Sequence, residues 1–163
     1  MLISIIIPTF NSSQTIQNNL DSIKKQTYLN YEIVVIDNNS TDDTIKLIKK
    51  NNFKNIKTII EKDSGIYDAV NKGILNSTGD LVSILHSDDI YNHNDVLKNV
   101  VNAFSQKKNI EIVYGNLVYV KNNDINSVLR YWRPGKFKND LFLKGWHPPH
   151  PSFFAKKKLF NSY

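Results

Sequence analysis

The chain has 163 residues, of which 40% are apolar and 22% charged, an ordinary composition for one globular domain with a real core. It contains no cysteine, which excludes disulfides and thiolate metal sites, so oxygen atoms or one of four histidines must hold any metal. The formal net charge of +6 favours an anionic partner such as a nucleotide, a lipid phosphate, a membrane surface or a nucleic acid.

Hydrophobic periodicity predicts strands and helices in alternation along the first 114 residues. We expect a capping box of Ser40 and Asp43 at the start of the second helix, Gly65 before the third helix and Gly79 near its end. The predicted strands are 2–7, 31–36, 56–60, 81–85 and 110–114, and the helices are 14–26, the segment from the capping box to about 50, 66–79 and 97–104.

The pattern changes after Tyr114, where shorter segments follow one another. They predict hairpin strands at 116–120 and 128–132 around a polar loop at 121–127, a short helix at 137–144, a Pro- and His-rich loop at 146–151, a strand at 152–155 and a helix starting at Lys156. Nothing in this pattern divides the chain, and we expect a single domain over 1–163.

Strict alternation of strands and helices is the signature of a parallel sheet with helices on both faces. We therefore predict an α/β fold, a Rossmann-like α/β/α sandwich around a mostly parallel sheet. Polar clusters follow the first four strands, at 8–11, 37–40, 61–68 and 86–89. Because the loops after such strands open on one edge, these clusters predict a polar ligand site there. Neither the dinucleotide fingerprint nor the P-loop pattern occurs, which disfavours those nucleotide folds.

The last of these clusters contains two adjacent carboxylates, Asp88 and Asp89. Two neighbouring carboxylates repel one another, and a hard divalent cation is a common reason to keep them together. The alternative is an ordinary turn or helix N-cap, and for an isolated Asp-Asp pair this alternative is the better one. The three other polar clusters shift the balance toward a metal site.

Four segments, taken in order, carry a resemblance to one known family. They read ISIIIPTFNSSQTI, YEIVVIDNNSTDDT, EKDSGIYDAVNKGI and GDLVSILHSDD. In this order and at these spacings they resemble the inverting family 2 glycosyltransferases of the GT-A fold, from about Leu2 to Tyr119, with a weaker match in HPPHPSFF. The resemblance implies the GT-A fold, with residues 1–120 as the nucleotide-sugar-binding part and residues 121–163 as the incomplete start of the acceptor-binding part.

The resemblance implies a nucleotide-sugar donor, most often a UDP-sugar. Its nucleoside pocket would be lined by Pro8, Thr9, Phe10 and Asn11. Asp37 would accept a hydrogen bond from the ring N–H of uracil. The alternative for Asp37 is an Asx turn, because residues 37–40 are rich in turn formers.

Gly65, Asp68 and Lys72 lie in the segment that, by the same resemblance, passes beside the diphosphate and the sugar. Lys72 would lie near the phosphates. Alternatively Asp68 and Lys72, four positions apart on a helix, form an ordinary surface ion pair.

Asp88 and Asp89 match the family's DXD-type metal motif. Asp89 would ligate Mn²⁺ or Mg²⁺ between the two phosphates, and Asp88 would contact the ribose or the metal. His86 occupies the first position of the motif, where many relatives have Asp or Asn, and is either a further ligand, a hydrogen-bond donor or a spacer. The metal would neutralise the charge that develops on the departing UDP.

Trp146, His147 and His150 resemble the acceptor-side loop of the family, in which His150 best matches the position facing the acceptor or the metal. The family's general base is an Asp or Glu after this loop, and in this sequence no carboxylate follows Asp140. The base is therefore expected beyond Tyr163. We expect residues 1–163 to bind UDP with metal and to transfer sugar slowly or not at all.

Together these features predict a metal-dependent, inverting glycosyltransferase, or its donor-binding half, in bacterial surface polysaccharide or glycolipid assembly. The alternatives are a nucleotide-sugar-binding module without turnover and, disfavoured by the lack of a Gly-rich basic triphosphate loop, a nucleotidyltransferase. Expected partners are a UDP-sugar and a glycan or lipid-linked acceptor, with no nucleic acid. No stretch approaches the ~20 apolar residues of a membrane span and no basic leader precedes the first apolar run, so we expect a cytoplasmic protein, either free or at the inner face of the cell membrane.

Overall fold

The computed structural model describes residues 1–106, 109–121 and 124–161. These residues form a six-stranded sheet with helices on both faces and a separate two-stranded sheet. The strands are β1 (Ile3–Thr9), β2 (Tyr31–Asp37), β3 (Ile56–Ile60), β4 (Leu81–Ile84), β5 (Ile112–Tyr114), β6 (Leu117–Lys121), β7 (Asp124–Trp132) and β8 (Phe153–Lys156). The α-helices are α1 (Ile16–Lys24), α2 (Thr44–Lys50), α3 (Ile66–Leu75) and α4 (Val96–Gln106), and short 3₁₀ helices lie at Phe142–Lys144, His150–Ser152 and Lys157–Asn161.

The large sheet has the strand order β3-β2-β1-β4-β8-β5. The first four of these strands are parallel, which confirms the predicted α/β sandwich with a mostly parallel sheet. The late strand β8 enters between β4 and β5 and is antiparallel to both. β5 therefore runs in the same direction as β4 without pairing with it.

The core is densest around β1, all seven residues of which are buried. Ile3, Ile5 and Ile7 pack in one large cluster with apolar residues of α1, α2 and α4, whereas Ile6 faces the opposite side and packs with Ile74 of α3. A strand covered on both faces must be apolar almost throughout, which is the pattern that made β1 and β2 recognisable in the sequence.

Helix α3 approaches the sheet closely at Gly73. A methyl group at this position would lie 2.3 Å from Cγ2 of Ile6, far inside van der Waals contact. Glycine is thus required at position 73 for close packing of the helix on β1. At the start of α3, the N-cap residue Gly65 has a positive φ of 125°, which favours glycine.

Pro8 lies within β1 and does not end the strand as predicted. β1 pairs with β4 only as far as Ile6, while its pairing with β2 continues to Thr9. The missing N–H of Pro8 faces the unpaired side, so it removes no hydrogen bond from the ladder.

The predicted capping box at the start of α2 is wrong. The hydroxyl of Ser40 donates to Asp37 at 2.6 Å instead of capping the helix. The N-cap residue is Asp43, without a side-chain cap. The preceding Asp42 accepts the hydroxyl of Thr44 at 2.5 Å and its backbone N–H at 3.0 Å through Oδ1, and the N–H of Ser13 at 3.0 Å through Oδ2. These hydrogen bonds, that from the Thr44 hydroxyl first, hold the pKa of Asp42 well below its ordinary value.

Predictions after residue 114 are correct in type and less accurate in extent. The hairpin exists as β6 and β7, but β7 begins at Asp124, so most of the predicted polar loop is strand, and Asn122 and Asn123 lie outside the described residues. The predicted helix at 137–144 shrinks to the 3₁₀ helix Phe142–Lys144. The helix predicted from Lys156 is likewise a 3₁₀ helix. Among the described residues, no helix combines the length and the apolar character needed to cross a membrane.

Candidate functional site

The sheet creates a crevice where its strand order reverses, between β1 and β4. Open α/β sheets bind ligands at this point, outside the carboxyl ends of the strands. The loops after the two strands meet here, since the hydroxyls of Ser12 and Ser87 lie 2.8 Å apart. The predicted convergence of these two loops is therefore present.

The side chain of Asp37 ties together the loops that follow β1 and β2. Thr9 is paired with Asp37 in the strand register, and its hydroxyl donates to Oδ2 at 2.8 Å. Ser40 donates its backbone N–H to Oδ1 at 2.8 Å and its hydroxyl to Oδ2 at 2.6 Å. Asp37 is fully buried. Asp37 thus caps a local turn through Ser40, three positions on and not two as in the Asx turn considered above, and its contact with uracil stays a prediction.

The loop after β1 is fixed to the same turn through Asn11, which has a left-handed backbone with φ 47°. Its N–H donates to the hydroxyl of Ser40 at 2.9 Å, and its side-chain oxygen accepts the N–H of Thr41 at 2.9 Å. Pro8 is buried in β1, whereas Phe10 is 58% exposed at the edge of the crevice. Of the four residues predicted to line the nucleoside, Phe10 and Asn11 are therefore exposed, whereas Pro8 and Thr9 are buried.

Asp88 and Asp89 lie in a turn directly after β4, closed by a hydrogen bond from the N–H of Asp89 to the carbonyl of His86 at 2.9 Å. Asn19 of α1, which is fully buried, supports the turn from the side of the core. Its side-chain amide donates to the carbonyl oxygens of His86 and Asp89, at 2.8 Å each. The turn thereby presents the Asp88 carboxylate to solvent and leaves that of Asp89 half-buried.

Burial and neighbouring negative charge shift the pKa values of two groups in this turn, Asp89 and His86. Burial, and next the negative charge of Asp88, raise the pKa of Asp89 to about 6. Burial also lowers the pKa of the His86 imidazole, although the carboxylate of Asp88 opposes this effect. A divalent cation between the carboxylates would offset both the burial of the Asp89 charge, the larger cause of its raised pKa, and the repulsion by Asp88.

The donor set fits one kind of metal site. Within residues 1–106, 109–121 and 124–161, no group of three or more His, Cys, Asp or Glu side chains could enclose a metal ion. Mg²⁺ and chemically similar ions are commonly bound by one or two carboxylates together with substrate phosphates and water. Asp88 and Asp89 therefore fit a metal that is shared with a phosphorylated ligand, not one held by the protein alone.

A cavity of about 850 Å³ adjoins the two carboxylates. It lies between the Asp88–Asp89 turn, the start of α4 and the face of the β6–β7 hairpin that carries Val118, Val128 and Tyr131. Its lining contains neither residues 8–11 nor Asp37, so the cavity adjoins the two carboxylates on the side of the hairpin and not on the side of the predicted nucleoside pocket. Arg133 is a basic residue in its lining that the sequence analysis did not single out.

Lys72 is the centre of a small charged cluster. Its ammonium lies 3.3 Å from the carboxylates of both Glu61 and Asp68 and donates to the carbonyl of Lys62 at 2.8 Å. Asp68 also accepts the N–H of Ser64 at 2.9 Å, and this bond, followed by Lys72, lowers the pKa of Asp68. The ordinary ion pair of Asp68 and Lys72 is therefore present, and a contact of Lys72 with phosphates stays a prediction.

The acceptor-side loop is organised by ring contacts. The ring of His147 lies 5.2 Å from that of Trp132 and 5.7 Å from that of His150. Trp146 packs edge-on against Tyr114 at 5.7 Å. His150 is exposed and remains an acceptor-side candidate.

Among the residues that hold the site together, sequence reasoning missed Asn19 and Ser12 and assigned Ser40 to a helix cap. One signal could have revealed Asn19: it lies beside Ile16, Leu20 and Ile23 on the buried face of an amphipathic helix. A polar side chain on such a face needs a hydrogen-bond partner, which here is the Asp88–Asp89 turn.

Comparison with known proteins gives the chain a family. The family model described as Glycosyl transferase family 2 matches residues 4–160. The Escherichia coli protein UDP-Glc:alpha-D-GlcNAc-diphosphoundecaprenol beta-1,3-glucosyltransferase WfgD is 33% identical over 144 residues, which are 88% of this chain and 55% of that protein. A Methanococcus voltae dolichyl N-acetyl-alpha-D-glucosaminyl phosphate 3-beta-D-2,3-diacetamido-2,3-dideoxy-beta-D-glucuronosyltransferase is 41% identical over 116 residues, 67% of this chain and 36% of that protein.

Solved structures share the fold. Staphylococcus aureus TarS residues 1–349 in complex with UDP-GlcNAc align with 99% of this chain and 47% of that chain, with a TM-score of 0.77 and 21% identity. The Pyrobaculum calidifontis mannosyltransferase PcManGT, in complex with GDP-Man and Mn²⁺, aligns with a TM-score of 0.74 and 22% identity over 98% of this chain and 46% of that chain. The chain thus spans about half the length of several proteins that it matches. It belongs to glycosyl transferase family 2 and has the GT-A fold.

Proposed function

We propose that the protein transfers a sugar from a UDP-sugar to a lipid-linked or glycan acceptor, with inversion at the anomeric carbon and with Mn²⁺ or Mg²⁺ as cofactor. The observation that carries this proposal is the Asp88–Asp89 turn at the carboxyl edge of the sheet, where burial and mutual repulsion raise the pKa of Asp89 to about 6. Two crowded carboxylates beside a cavity of about 850 Å³ suit a cation bound together with a diphosphate.

In this proposal each loop of the crevice has a separate task. Asp89, together with Asp88, would hold the cation, whose chemistry when bound is to neutralise negative charge on the departing diphosphate. Phe10 and Asn11 would line the nucleoside, and Asp37 would keep their loop in place as well as accept from uracil. Because these loops are already tied to one another, little ordering remains to be done when the donor binds.

The acceptor is proposed to be carried on a lipid phosphate, in bacterial surface polysaccharide or glycolipid assembly. Two relatives are named for acceptors on diphosphoundecaprenol and dolichyl phosphate, respectively, which supports this class. The protein would work in the cytoplasm at the inner face of the membrane. Residues 1–120 would bind the donor, and residues 121–163 would begin the acceptor site, with His150 near the acceptor.

The test is transfer of radiolabelled sugar from a panel of UDP-sugars to a polyprenyl-diphosphate-linked sugar acceptor, with Mn²⁺ present. The proposal predicts a labelled lipid product of inverted anomeric configuration, which NMR of the product can establish, formed slowly by residues 1–163 because no carboxylate follows Asp140. The alternative function is a binding module that holds the donor without turnover; saturable UDP-sugar binding with no product from any donor would favour it. Failure to bind any UDP-sugar would contradict both.

A further inference from the structure

Residues 133–146 form a segment, here called the basic-apolar loop, in which apolar and basic side chains alternate on an exposed surface. Leu143 is 92% exposed, Phe142 57% and Phe137 50%. The segment has one acidic residue, Asp140, and four basic residues, namely Arg133, Lys136, Lys138 and Lys144. All five charged side chains are exposed.

The loop is held in a defined conformation by its aromatic rings. Phe142 lies 5.8 Å from Phe137 and 5.5 Å from Trp146, with ring centroids as the reference points. The indole N–H of Trp146 donates to the carbonyl of Pro134 at 2.9 Å, and the hydroxyl of Tyr114 donates to that of Gly135 at 3.0 Å. The exposed apolar side chains are therefore presented by a packed turn.

The charge of the loop is only partly neutralised within the protein. Asp140 is paired with Lys144 at 2.5 Å, and Arg133 lies over the ring of Tyr131 at 5.6 Å. Among the described residues, no ion pair is recorded for Lys136 or Lys138. The loop thus carries net positive charge next to exposed Phe and Leu side chains.

This combination fits a lipid surface better than a protein partner. Lysine is depleted in the cores of protein–protein interfaces, yet here Lys136 and Lys138 flank Phe137, and Lys144 follows Leu143. At a bilayer, apolar side chains enter the acyl boundary while lysine ammonium groups reach the anionic headgroups. Charge complementarity therefore selects an anionic bilayer as the occupant.

We propose that the basic-apolar loop docks the protein on an anionic lipid bilayer, with Leu143 and Phe142 inserted among the lipids. The loop is bound to Tyr114 at the carboxyl end of β5, which runs in the same direction as β4. Docking would therefore place the bilayer at the edge of the sheet that carries Asp88 and Asp89. The docking itself does not depend on the function proposed above.

The experiment is co-sedimentation of the chain with vesicles of phosphatidylcholine containing about one-third phosphatidylglycerol, and with vesicles of phosphatidylcholine alone. We expect binding to the anionic vesicles, weakened by added salt, and little binding to the neutral ones. Leu143→Ser and the double variant Lys136→Glu/Lys138→Glu should each weaken binding, the double variant by about tenfold or more.

Matched controls separate this surface from general properties of the protein. Leu29→Ser removes a leucine that is 75% exposed and precedes β2, at the end of the sheet away from the carboxyl ends of the parallel strands. Lys49→Glu/Lys50→Glu makes the same change of charge on α2. Both controls should bind vesicles like the unaltered chain. UDP affinity should be unchanged in all four variants, which distinguishes failure of this proposal from failure of the donor site.

Three results would overturn the proposal. They are equal binding to neutral and anionic vesicles, absence of binding to either, and equal losses in the loop variants and their controls. If Leu143→Ser instead abolished concentration-dependent self-association while leaving vesicle binding intact, the loop would be an interface between copies of the chain.

Discussion

The buried amide of Asn19 donates a hydrogen bond to the backbone carbonyl oxygen of Asp89, at 2.8 Å, and so links helix α1 to the proposed metal-binding turn. The same amide also donates to the carbonyl of His86 at 2.8 Å, at the other end of the turn. One side chain in the core thereby sets the position of both carboxylates. The geometry of the site depends on the packing of α1 as well as on the loop.

Asn19→Ala should therefore weaken both the fold and the site. The carbonyl oxygen of Asp89 loses its donor, whereas that of His86 still accepts the N–H of Asp89, so the free energy of unfolding should fall by about 1–3 kcal/mol. Metal-dependent UDP affinity should fall as well, because the turn loses its support. Chemical denaturation and calorimetry measure the two effects. Asn18→Ala, at the exposed neighbouring position of the same helix, is the control and should change neither.

Asp37→Asn tests the network that joins the first two loops. The substitution replaces one carboxylate oxygen by an amide that cannot accept from Thr9 or Ser40, so the free energy of unfolding should fall by about 1–3 kcal/mol. Asp43→Asn, at an exposed position, should have almost no effect on unfolding. If both variants lost the same free energy of unfolding, the hydrogen bonds of Asp37 would stabilise the fold no more than an exposed carboxylate does. If Asp37 also contacts uracil, Asp37→Ala should narrow the preference for UDP over CDP.

Glu32 predicts a pH-dependent contribution to stability. Burial alone would raise its pKa, but hydrogen bonds from Ser4, Thr78 and Gly79 outweigh burial and lower it below the ordinary value of 4.5. A carboxylate with a lowered pKa stabilises the fold fully above that ordinary value, and the stabilisation is lost as pH falls through the folded pKa. Glu32→Gln should thus lower Tm at pH 7. The difference in Tm between this variant and the unaltered chain should become smaller in acid. Glu111→Gln, which removes an exposed ion pair, should change Tm little.

Gly73→Ala should destabilise the packing of α3 on β1. The added methyl group would lie 2.3 Å from Cγ2 of Ile6, and such overpacking typically costs about 1–3 kcal/mol, more than the helix propensity of alanine returns. Gly115→Ala is the control, because its methyl group would meet only Cβ of Ser152 at an ordinary 3.8 Å. Thermal unfolding of both variants measures the difference, and equal Tm values would contradict the close approach.

The parallel half of the sheet was predictable because each of its strands carries its own signal. β1 and β2 are continuous apolar runs, and β3 was placed at its observed limits, Ile56–Ile60. The position of β8 was not predictable in the same way. Its apolar residues indicate a strand, but the neighbouring sequence does not indicate that this strand enters between β4 and β5. The pairing of β8 with β4 joins residues about seventy positions apart along the chain.

The site was predictable in its location and not in its internal contacts. Carboxylates after strands mark the carboxyl edge of the sheet, where the structure has Asp37 and Asp88, and their contacts with a ligand stay predictions. Which donor each carboxylate accepts depends on side-chain geometry: Ser40 bonds to Asp37 although its spacing from Asp43 fits a capping box. Asn19 was overlooked because a polar residue on a helix is usually solvated.

The most direct test of the central claim is the affinity for UDP with Mn²⁺ and with EDTA, measured by calorimetry on the unaltered chain, Asp89→Asn and the control Asp43→Asn. The account predicts that chelation weakens UDP binding by about tenfold or more, equivalent to ~1.4 kcal/mol or more, in the unaltered chain and the control. In Asp89→Asn the two affinities should be the same. Equal UDP affinity with and without metal in the unaltered chain would contradict the claim that the Asp88–Asp89 turn binds the donor through a shared cation.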